Sequence, residues 1–232
     1  MRRAAEGPGL ERGLPPVRST GFSRVVLLGL FSTVRVPRTA ARIVAFLRVS
    51  SAVVPLAIRA ATPDDARRIA EIHVAGWQSA YRGQMPDSLL DGLSVDLRAE
   101  TRRRDLETPR SPEHRTWVAE DGGRIVAFAM TGPSRDADAA ADVAELFALY
   151  ADPARWGTGS GRALMAHVIA DLSGRGMAEI TLWVLASNAR ARRFYGIAGF
   201  RADEVERHES FAGASLKELR CRRACNAELR PS

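Results

Sequence analysis

Lysine and cysteine are scarce in this chain, and each scarcity excludes a function. Lys217 is the only lysine beside 33 arginines, and Cys221 and Cys225 are the only cysteines. A mononucleotide P-loop reads phosphate with the lysine of Gly-x-x-x-x-Gly-Lys-Ser/Thr, and no such motif occurs. The cysteine pair has no nearby histidine, so we predict no metal site. So little cysteine fits a reducing cytoplasm, and the arginine excess is typical of the coding bias of a GC-rich, bacterial genome.

Long apolar runs are absent as well. The strongest run in the first 55 residues, residues 25–31, is far short of the roughly 20 residues that span a bilayer. Residues 1–55 contain nine arginines and two glutamates and carry the whole net charge of +7. Residues 56–232 are neutral overall, which gives them no bulk electrostatic reason to bind nucleic acid or membranes. We predict a basic N-terminal extension, residues 1–55, that is disordered or added by a mis-set start codon, and one domain, residues 56–232.

A glycine-rich loop joins a predicted strand to a predicted helix. The apolar run 143–151 indicates a buried strand, Gly157, Gly159 and Gly161 follow it, and an amphipathic pattern then indicates a helix. Glycines allow positive φ and let an anion approach main-chain N–H groups, to which a helix N-terminus adds its own. The spacing does not match the dinucleotide fingerprint Gly-x-Gly-x-x-Gly. Taken alone, the loop leaves open both phosphate binding and a turn whose glycines serve tight packing.

A second segment, downstream, favours phosphate binding. Residues 179–185 indicate a short buried strand, and a helix follows with Ser187 or Asn188 at its N-cap and Gly199 at its end. The two segments together resemble the GNAT superfamily of acetyl-CoA-dependent N-acetyltransferases. In that family the first segment cradles the CoA pyrophosphate, and the second supplies an asparagine near the pantetheine and a tyrosine near the thioester sulfur. Asn188 and Tyr195 stand at the matching positions.

The resemblance covers roughly residues 56–223. It implies an α/β (α+β) fold with a mixed, mostly antiparallel central sheet flanked by helices. Thr62 and Pro63 fit the N-cap and first position of the first helix. An Asp-Gly-Gly turn between residues 115–120 and 125–131 predicts a hairpin, and residues 215–223 read as the last strand.

Two positions depart from the family pattern. Trp156, preceded by Arg155, stands where the pyrophosphate loop usually opens with glutamine or arginine. We expect the main-chain contacts to survive this change, because they need the glycines and not the side chain. Trp183 stands where some peptide-acetylating relatives carry a catalytic glutamate. A base of that kind is therefore excluded.

The resemblance implies acetyl-CoA as the acyl-donor cosubstrate and assigns residues to it. Main-chain groups of the strand 143–151 would contact the pantetheine, and residues 157–162 the pyrophosphate. The same strand's N–H groups are the expected donors to the carbonyl oxygen as it gains charge. The predicted cofactor-binding residues are Leu149, Tyr150, Ala151, Gly157, Thr158, Gly159, Ser160, Gly161, Arg162 and Asn188.

Acetyl transfer also needs an acid for the departing thiolate and a base for the amine. Tyr195 is the predicted acid; the alternative is an aromatic side chain that packs beside Phe194. Glu145 is the predicted base, because strand alternation places it on a face with Val143, Phe147 and Leu149, where a carboxylate lies at the cleft or is unexpectedly buried. The alternative is a solvated carboxylate at a strand end. Lesser candidates for the base are His73, Tyr81, His208 and Glu209.

We therefore predict an enzyme that transfers acetyl from acetyl-CoA to the amine of a small molecule, directly in a ternary complex, since Cys221 and Cys225 lie outside both core motifs. A non-catalytic acyl-CoA-binding regulatory module and a protein or peptide N-acetyltransferase are the alternatives. Trp77 and Tyr81, with Asp136 and Asp138, would suit a cationic acceptor; the alternative is that Trp77 is core and the acidic link a mobile surface loop. The sequence does not determine the oligomeric state.

Overall fold

The computed structural model describes residues 56–211 and 214–226, so the extension predicted for residues 1–55 lies outside the described part of the chain. One seven-stranded sheet has the order β1-β2-β3-β4-β5-β7-β6, and every neighbouring pair is antiparallel except β4 and β5, which are parallel. The mixed, mostly antiparallel sheet is therefore confirmed. The strands are β1 (Ala57–Ala60), β2 (Arg115–Asp121), β3 (Arg124–Pro133), β4 (Val143–Ala151), β5 (Glu179–Leu185), β6 (Arg201–Phe211) and β7 (Ala214–Ala224).

Helices cover both faces of the sheet. On one face α4 buries Leu164, Val168 and Leu172 against alternate residues of β5 such as Leu182. On the other face Ile69 and Ile72 of α1 pack with β2 and β3. Each helix of the described residues falls short of the length and apolar character that a bilayer crossing requires. The helices are α1 (Ala66–Tyr81), α2 (Asp87–Asp91), α3 (Val95–Glu107), α4 (Ser160–Gly174) and α5 (Ala189–Ile197).

Hydrogen bonds between neighbouring residues determine where the first helix begins. Thr62 and Asp65 form a capping box, and the Asp65 carboxylate accepts a hydrogen bond from the Thr62 N–H at 2.7 Å. The turn that begins at Pro63 is a 3-10 helix, and α1 continues from it. The Arg59 guanidinium, reaching across from β1, donates to both oxygens of Asp65. The start of α1 is thus tied to the edge of the sheet.

The polar stretch around His208 is a strand. Glu206, His208 and Glu209 give no apolar alternation, so the sequence pattern indicates no strand there. β6 nevertheless pairs with β7 as the edge strand of the sheet, on both sides of an irregularity between Ala202 and Glu206. An edge strand needs no buried face, so its main-chain hydrogen bonds hold it where its side chains give no signal.

Candidate active site

The sheet opens beside β4. Parallel pairing joins β4 to β5 only from Val143–Glu145 to Glu179–Thr181. Beyond Glu145, β4 stays paired with β3 on its other side, and β5 stays paired with β7. Residues 146–151 of β4 consequently face β5 across a gap that no strand fills. Such a gap leaves main-chain N–H and C=O groups available to a ligand.

Main-chain direction decides which of these residues meet the gap. The Asp152 N–H donates to the Val126 carbonyl of β3 at 2.8 Å. Because hydrogen bonds alternate along an antiparallel pair, Tyr150 also bonds to β3, whereas Leu149 and Ala151 turn their main-chain groups toward β5. The Ala151 carbonyl accepts the indole N–H of Trp156 at 3.0 Å. The main-chain groups of Tyr150 therefore point toward β3 and away from the gap, although the sequence analysis predicted that Tyr150 binds the cofactor.

A bulge in β4 changes which of its residues share a face of the sheet, contrary to the regular alternation assumed from the sequence. Ala148 and Leu146 pair with the consecutive residues Met130 and Thr131, which leaves Phe147 unpaired. Phe147 keeps the face of Glu145, stacking on His114 with ring centroids 5.6 Å apart. Leu149 moves to the opposite face and packs with the core under α4. Glu145 and Leu149 thus lie on different faces, contrary to our expectation.

The glycine loop has the geometry of an anion cradle. Gly157 and Gly159 have φ values of 82° and 93°, and no atom lies within 4 Å of where a Cβ would stand on either. Both glycines are required for conformation and not for packing. The first intrahelical bond of α4 runs from the Ala163 N–H to the Gly159 carbonyl at 3.0 Å. The N–H groups of residues 160–162 precede that bond and have no acceptor within the helix.

Helix α5 closes the other side of the gap. Asn188 is its N-cap, and the Asn188 side chain accepts the Ala191 N–H at 3.0 Å. Phe194 approaches the start of α4, where a Cβ on Gly161 would lie 3.7 Å from its ring. The Arg190 guanidinium lies over the Trp156 ring, 3.5 Å from its centroid. No local pattern marks Arg190 as a site residue, since its partner Trp156 lies in a distant segment.

An aromatic cluster lies beyond the gap on the α1 face. The Trp77 indole N–H donates to the Tyr150 hydroxyl at 2.9 Å. Burial raises the pKa of Tyr81, as does the charge of Glu218, while hydrogen bonds with Tyr150 and Asn188 act in the opposite direction. Hydroxyl groups from α1 and β4 therefore meet the N-cap of α5. Glu218 on β7, whose carboxylate accepts the Arg207 Nε–H at 2.7 Å, acts on Tyr81 through its charge, and nothing local to β7 predicts this.

Tyr195 lies on α5 in an apolar setting. Its ring contacts those of Phe194 and Phe200, with centroids 5.4 and 6.0 Å away. Burial raises the pKa of Tyr195 well above its ordinary value, and the neighbouring Tyr81 and Cys221 act in the same direction. The phenol is accordingly protonated at neutral pH. Among the described residues, none is hydrogen-bonded to the Tyr195 hydroxyl, whose proton is available to a ligand.

Glu145 does not have the surroundings of a free base. Its side chain is buried, and Arg135 donates to it three times: the Arg135 main-chain N–H and Nε lie 3.0 Å from Oε2, and Nη2 bonds to Oε1. Of the two placements expected for this carboxylate, the buried one is therefore found. A carboxylate whose oxygens both accept bonds from a guanidinium is already occupied and is not free to accept an amine proton. The geometry makes Glu145 an anchor for the connection between β3 and β4.

Of the lesser candidates for the base, His73 lies in a buried environment, whereas His208 and Glu209 lie at the surface. Burial lowers the pKa of His73 to about 3, with Arg98 and Arg102 contributing through their charges. His73 is therefore neutral, but its ring packs against that of Tyr150 inside the cluster, with ring centroids 4.7 Å apart. His208 and Glu209 are exposed on β6.

The two carboxylates expected to meet a cationic acceptor are already paired. Asp136 accepts the Trp183 indole N–H at 3.0 Å, and Asp138 accepts both Nη groups of Arg220 at 2.6 and 2.8 Å. Arg220 is 4% exposed and lies on the same face as Trp183. The link 134–142 therefore folds over β5 and β7, and its acidic groups stabilise that placement.

Comparison with known proteins agrees with this geometry. The family model described as "Acetyltransferase (GNAT) family" matches residues 68–200. This chain belongs to the GNAT acetyltransferase family. Its relatives include the uncharacterized N-acetyltransferase YuaI of Bacillus subtilis, 29% identical over 70% of this chain and 89% of YuaI. The [ribosomal protein bS18]-alanine N-acetyltransferase of Escherichia coli K12 is 38% identical over 37% of this chain and 54% of its own length.

The solved structures agree with the fold of this GNAT acetyltransferase. YncA from Salmonella typhimurium, crystallised with its cofactor acetyl-CoA, has a TM-score of 0.56 and 20% identity over 77% of this chain and 98% of that chain. This chain is an acyltransferase, and acetyl-CoA is its acyl donor. The open edge of β4 and the glycine cradle fit that donor. The resemblance seen in the sequence is confirmed.

Proposed function

We propose that this GNAT acetyltransferase transfers the acetyl group of acetyl-CoA to the amine of a small molecule, directly in a ternary complex. The gap between β4 and β5 carries the proposal, because it brings an open strand edge and the glycine loop together, and Tyr195 lies close enough to Tyr150 of β4 to act on its pKa. Burial raises the pKa of Cys221 and of Cys225, so neither thiol is a ready nucleophile for an acyl-enzyme. The link 134–142 over β5 favours a small acceptor over an extended peptide.

Each group has a defined task in this mechanism. Main-chain N–H groups of residues 157–162 and the N-terminus of α4 hold the pyrophosphate, and Leu149 and Ala151 orient the pantetheine. Asn188 holds the pantetheine near α5. The donor supplies an activated thioester: the amine nitrogen forms the new C–N bond as the C–S bond breaks. Tyr195 donates its proton to the sulfur, and solvent restores that proton.

The amine proton needs a different route from the one we predicted. Arg135 occupies Glu145, whereas Tyr81 bonds with Tyr150 and Asn188 and feels the charge of Glu218. A phenol with a raised pKa is protonated at neutral pH, so Tyr81 cannot accept a proton without passing on its own. We assign Tyr81 as a relay that takes the amine proton while releasing its own to solvent, because the Glu218 carboxylate already accepts the Arg207 Nε–H at 2.7 Å.

A thiol-release assay with a panel of amines tests the function. The expected result is acetyl-CoA-dependent thiol release with at least one small amine and an acetylated product of matching mass. A peptide panel with free α-amino termini tests the protein acceptor, on which the ribosomal relative acts. Tight CoA binding without thiol release for any acceptor would support the non-catalytic module instead.

The domain boundary and the compartment also belong to the proposal. We assign residues 56–232 as the acetyltransferase domain, working in the cytoplasm of a bacterium. A chain that begins at residue 56 should unfold cooperatively and release thiol at the full-length rate. Loss of either property would move the boundary toward the N-terminus.

A further inference from the structure

Helix α3 directs arginines inward where a packed helix would place apolar residues. Arg98, Arg102 and Leu106 follow one another at intervals of four residues, and Leu106 packs against the core beneath α1. None of the residues of α3 is fully buried. Arg98 and Arg102 both act on the pKa of His73, which lies on α1 and packs against Tyr150. The packing of α3 against α1 therefore brings two guanidinium groups close to His73.

These two cations have one carboxylate between them. Arg102 pairs with Asp105 at 3.1 Å, whereas no carboxylate within residues 56–211 and 214–226 pairs with Arg98. Burial lowers the pKa of both arginines, and the charge of Arg98 lowers that of Arg102 further. His73 is neutral and adds no compensating charge. Arg98, Arg102 and Asp105 together consequently carry one net positive charge in a partly desolvated position.

The unpaired cation lies close to the reacting end of the site. The Arg98 guanidinium is 5.3 Å from the centroid of the Trp77 ring, whose N–H bonds to the Tyr150 hydroxyl. Tyr81, which bonds with Tyr150 and with Asn188, packs on the same indole with ring centroids 5.2 Å apart. One indole thus separates Arg98 from the hydroxyl groups that meet the N-cap of α5.

We propose that Arg98, supported by Arg102, is a subsite for an anionic group of the acceptor. The acceptor is then an amine that also carries a carboxylate or a phosphate, at a distance from the nitrogen that the Trp77 ring sets. A half-buried guanidinium without a counter-ion gains a charge-assisted hydrogen bond from such an oxyanion, which is stronger than one in water. This inference rests on the proposed transfer to a small amine.

Matched acceptors test the subsite. Thiol release is measured for ω-amino carboxylates of increasing chain length, each beside its neutral carboxamide, and for an aminoalkyl phosphate. We expect kcat/KM to favour the anionic form by about tenfold or more at one chain length, mainly through KM. Preference for the phosphate or for the carboxylate identifies the source of the oxyanion. In Arg98→Gln the ratio of anionic to neutral kcat/KM should fall toward one, and Arg98→Lys should restore part of it.

Controls separate this inference from folding and from the function itself. Arg104→Gln removes the same charge from the solvent side of α3, where Arg104 and its neighbour Glu100 are both 69% exposed, and should keep the wild-type ratio. CoA binding by calorimetry checks that each variant is folded. Equal kcat/KM for anionic and neutral acceptors, or an unchanged ratio in folded Arg98→Gln, overturns the subsite while leaving the transferase intact. Failure of every amine in both forms overturns the proposed function, and the subsite with it.

Discussion

The Arg190 guanidinium on α5 covers the Trp156 ring in the glycine loop, 3.5 Å from its centroid. Trp156 is itself fixed by the bond from its indole N–H to the Ala151 carbonyl. Among the described residues, no carboxylate pairs with Arg190, and burial lowers its pKa. The chain has tryptophan where the family loop usually opens with glutamine or arginine, and α5 supplies a cation to that place.

Removal of this cation should weaken cofactor binding. Arg190→Gln should lower CoA affinity by about tenfold, because the variant lacks the guanidinium that we expect to bond to a CoA phosphate beside the loop. Calorimetry with CoA and with dephospho-CoA measures the loss and shows which phosphate is involved. Arg193→Gln, an exposed change on the same helix, is the control. Equal affinity in Arg190→Gln and the parent would make the stack a packing feature alone.

The glycine loop gives a second prediction through its backbone. Gly159→Ala places a Cβ at φ 93°, which costs roughly 1–2 kcal/mol or turns the loop N–H groups away. CoA affinity should fall while the far-ultraviolet circular dichroism is unchanged. Gly174→Ala makes the same change at the end of α4, where φ is not positive and space is open, and should bind CoA normally. Normal affinity in folded Gly159→Ala would refute the phosphate cradle.

Tyr195 can be separated from its packing. Tyr195→Phe keeps the ring between Phe194 and Phe200 but removes the proton donor, so turnover should fall roughly 10²–10⁴-fold with CoA affinity little changed. Because burial raises its pKa, we expect no loss of activity from Tyr195 ionisation up to about pH 10. Stopped-flow measurement of the chemical step decides the outcome. Full turnover in the variant would leave Tyr195 with a packing role.

Glu145→Gln distinguishes an anchor from a base. The ion pair with Arg135 is buried on one side only, so its loss should cost about 1–3 kcal/mol of unfolding free energy. The acidic limb of the kcat/KM profile should persist, measured with an amine of known pKa. Glu209→Gln, an exposed carboxylate, should leave stability unchanged. Disappearance of the acidic limb would restore Glu145 as the base.

Asp65 gives the fold a dependence on pH. Hydrogen bonds from Arg59 are the main cause of its lowered pKa, so the folded state binds this proton less readily than the unfolded chain. Its contribution is complete above the unfolded value of about 3.9 and is lost as pH falls through the folded pKa. Asp65→Asn should lower stability at neutral pH by about 1 kcal/mol and flatten the acidic decline. Asp64→Asn, exposed next to it, should do neither.

Local patterns predicted the elements whose causes are local. Thr62 and Asp65 lie three residues apart and cap the first helix, and Asn188 caps α5 through a neighbour three residues away. The glycines at 157 and 159 take the positive φ that their spacing implied. Edge strand β6 escaped prediction, since cross-strand hydrogen bonds and not side-chain burial maintain it. The bulge at Phe147 was not predicted either, because an argument from strand alternation assumes an unbroken register.

The sequence by itself determined the family, the acyl donor and the loop that suits its pyrophosphate, since backbone conformation there depends on residue types within a few positions. Only the tertiary structure decided which side chains meet. Arg135 reaches Glu145 because the link 134–142 folds back over the sheet, and Arg190 reaches Trp156 because α5 crosses beside α4. Arg98 meets Trp77 through the packing of α3 on α1. Charge at a site depends on the partners that folding brings within a few ångströms, and no spacing along the chain encodes those partners.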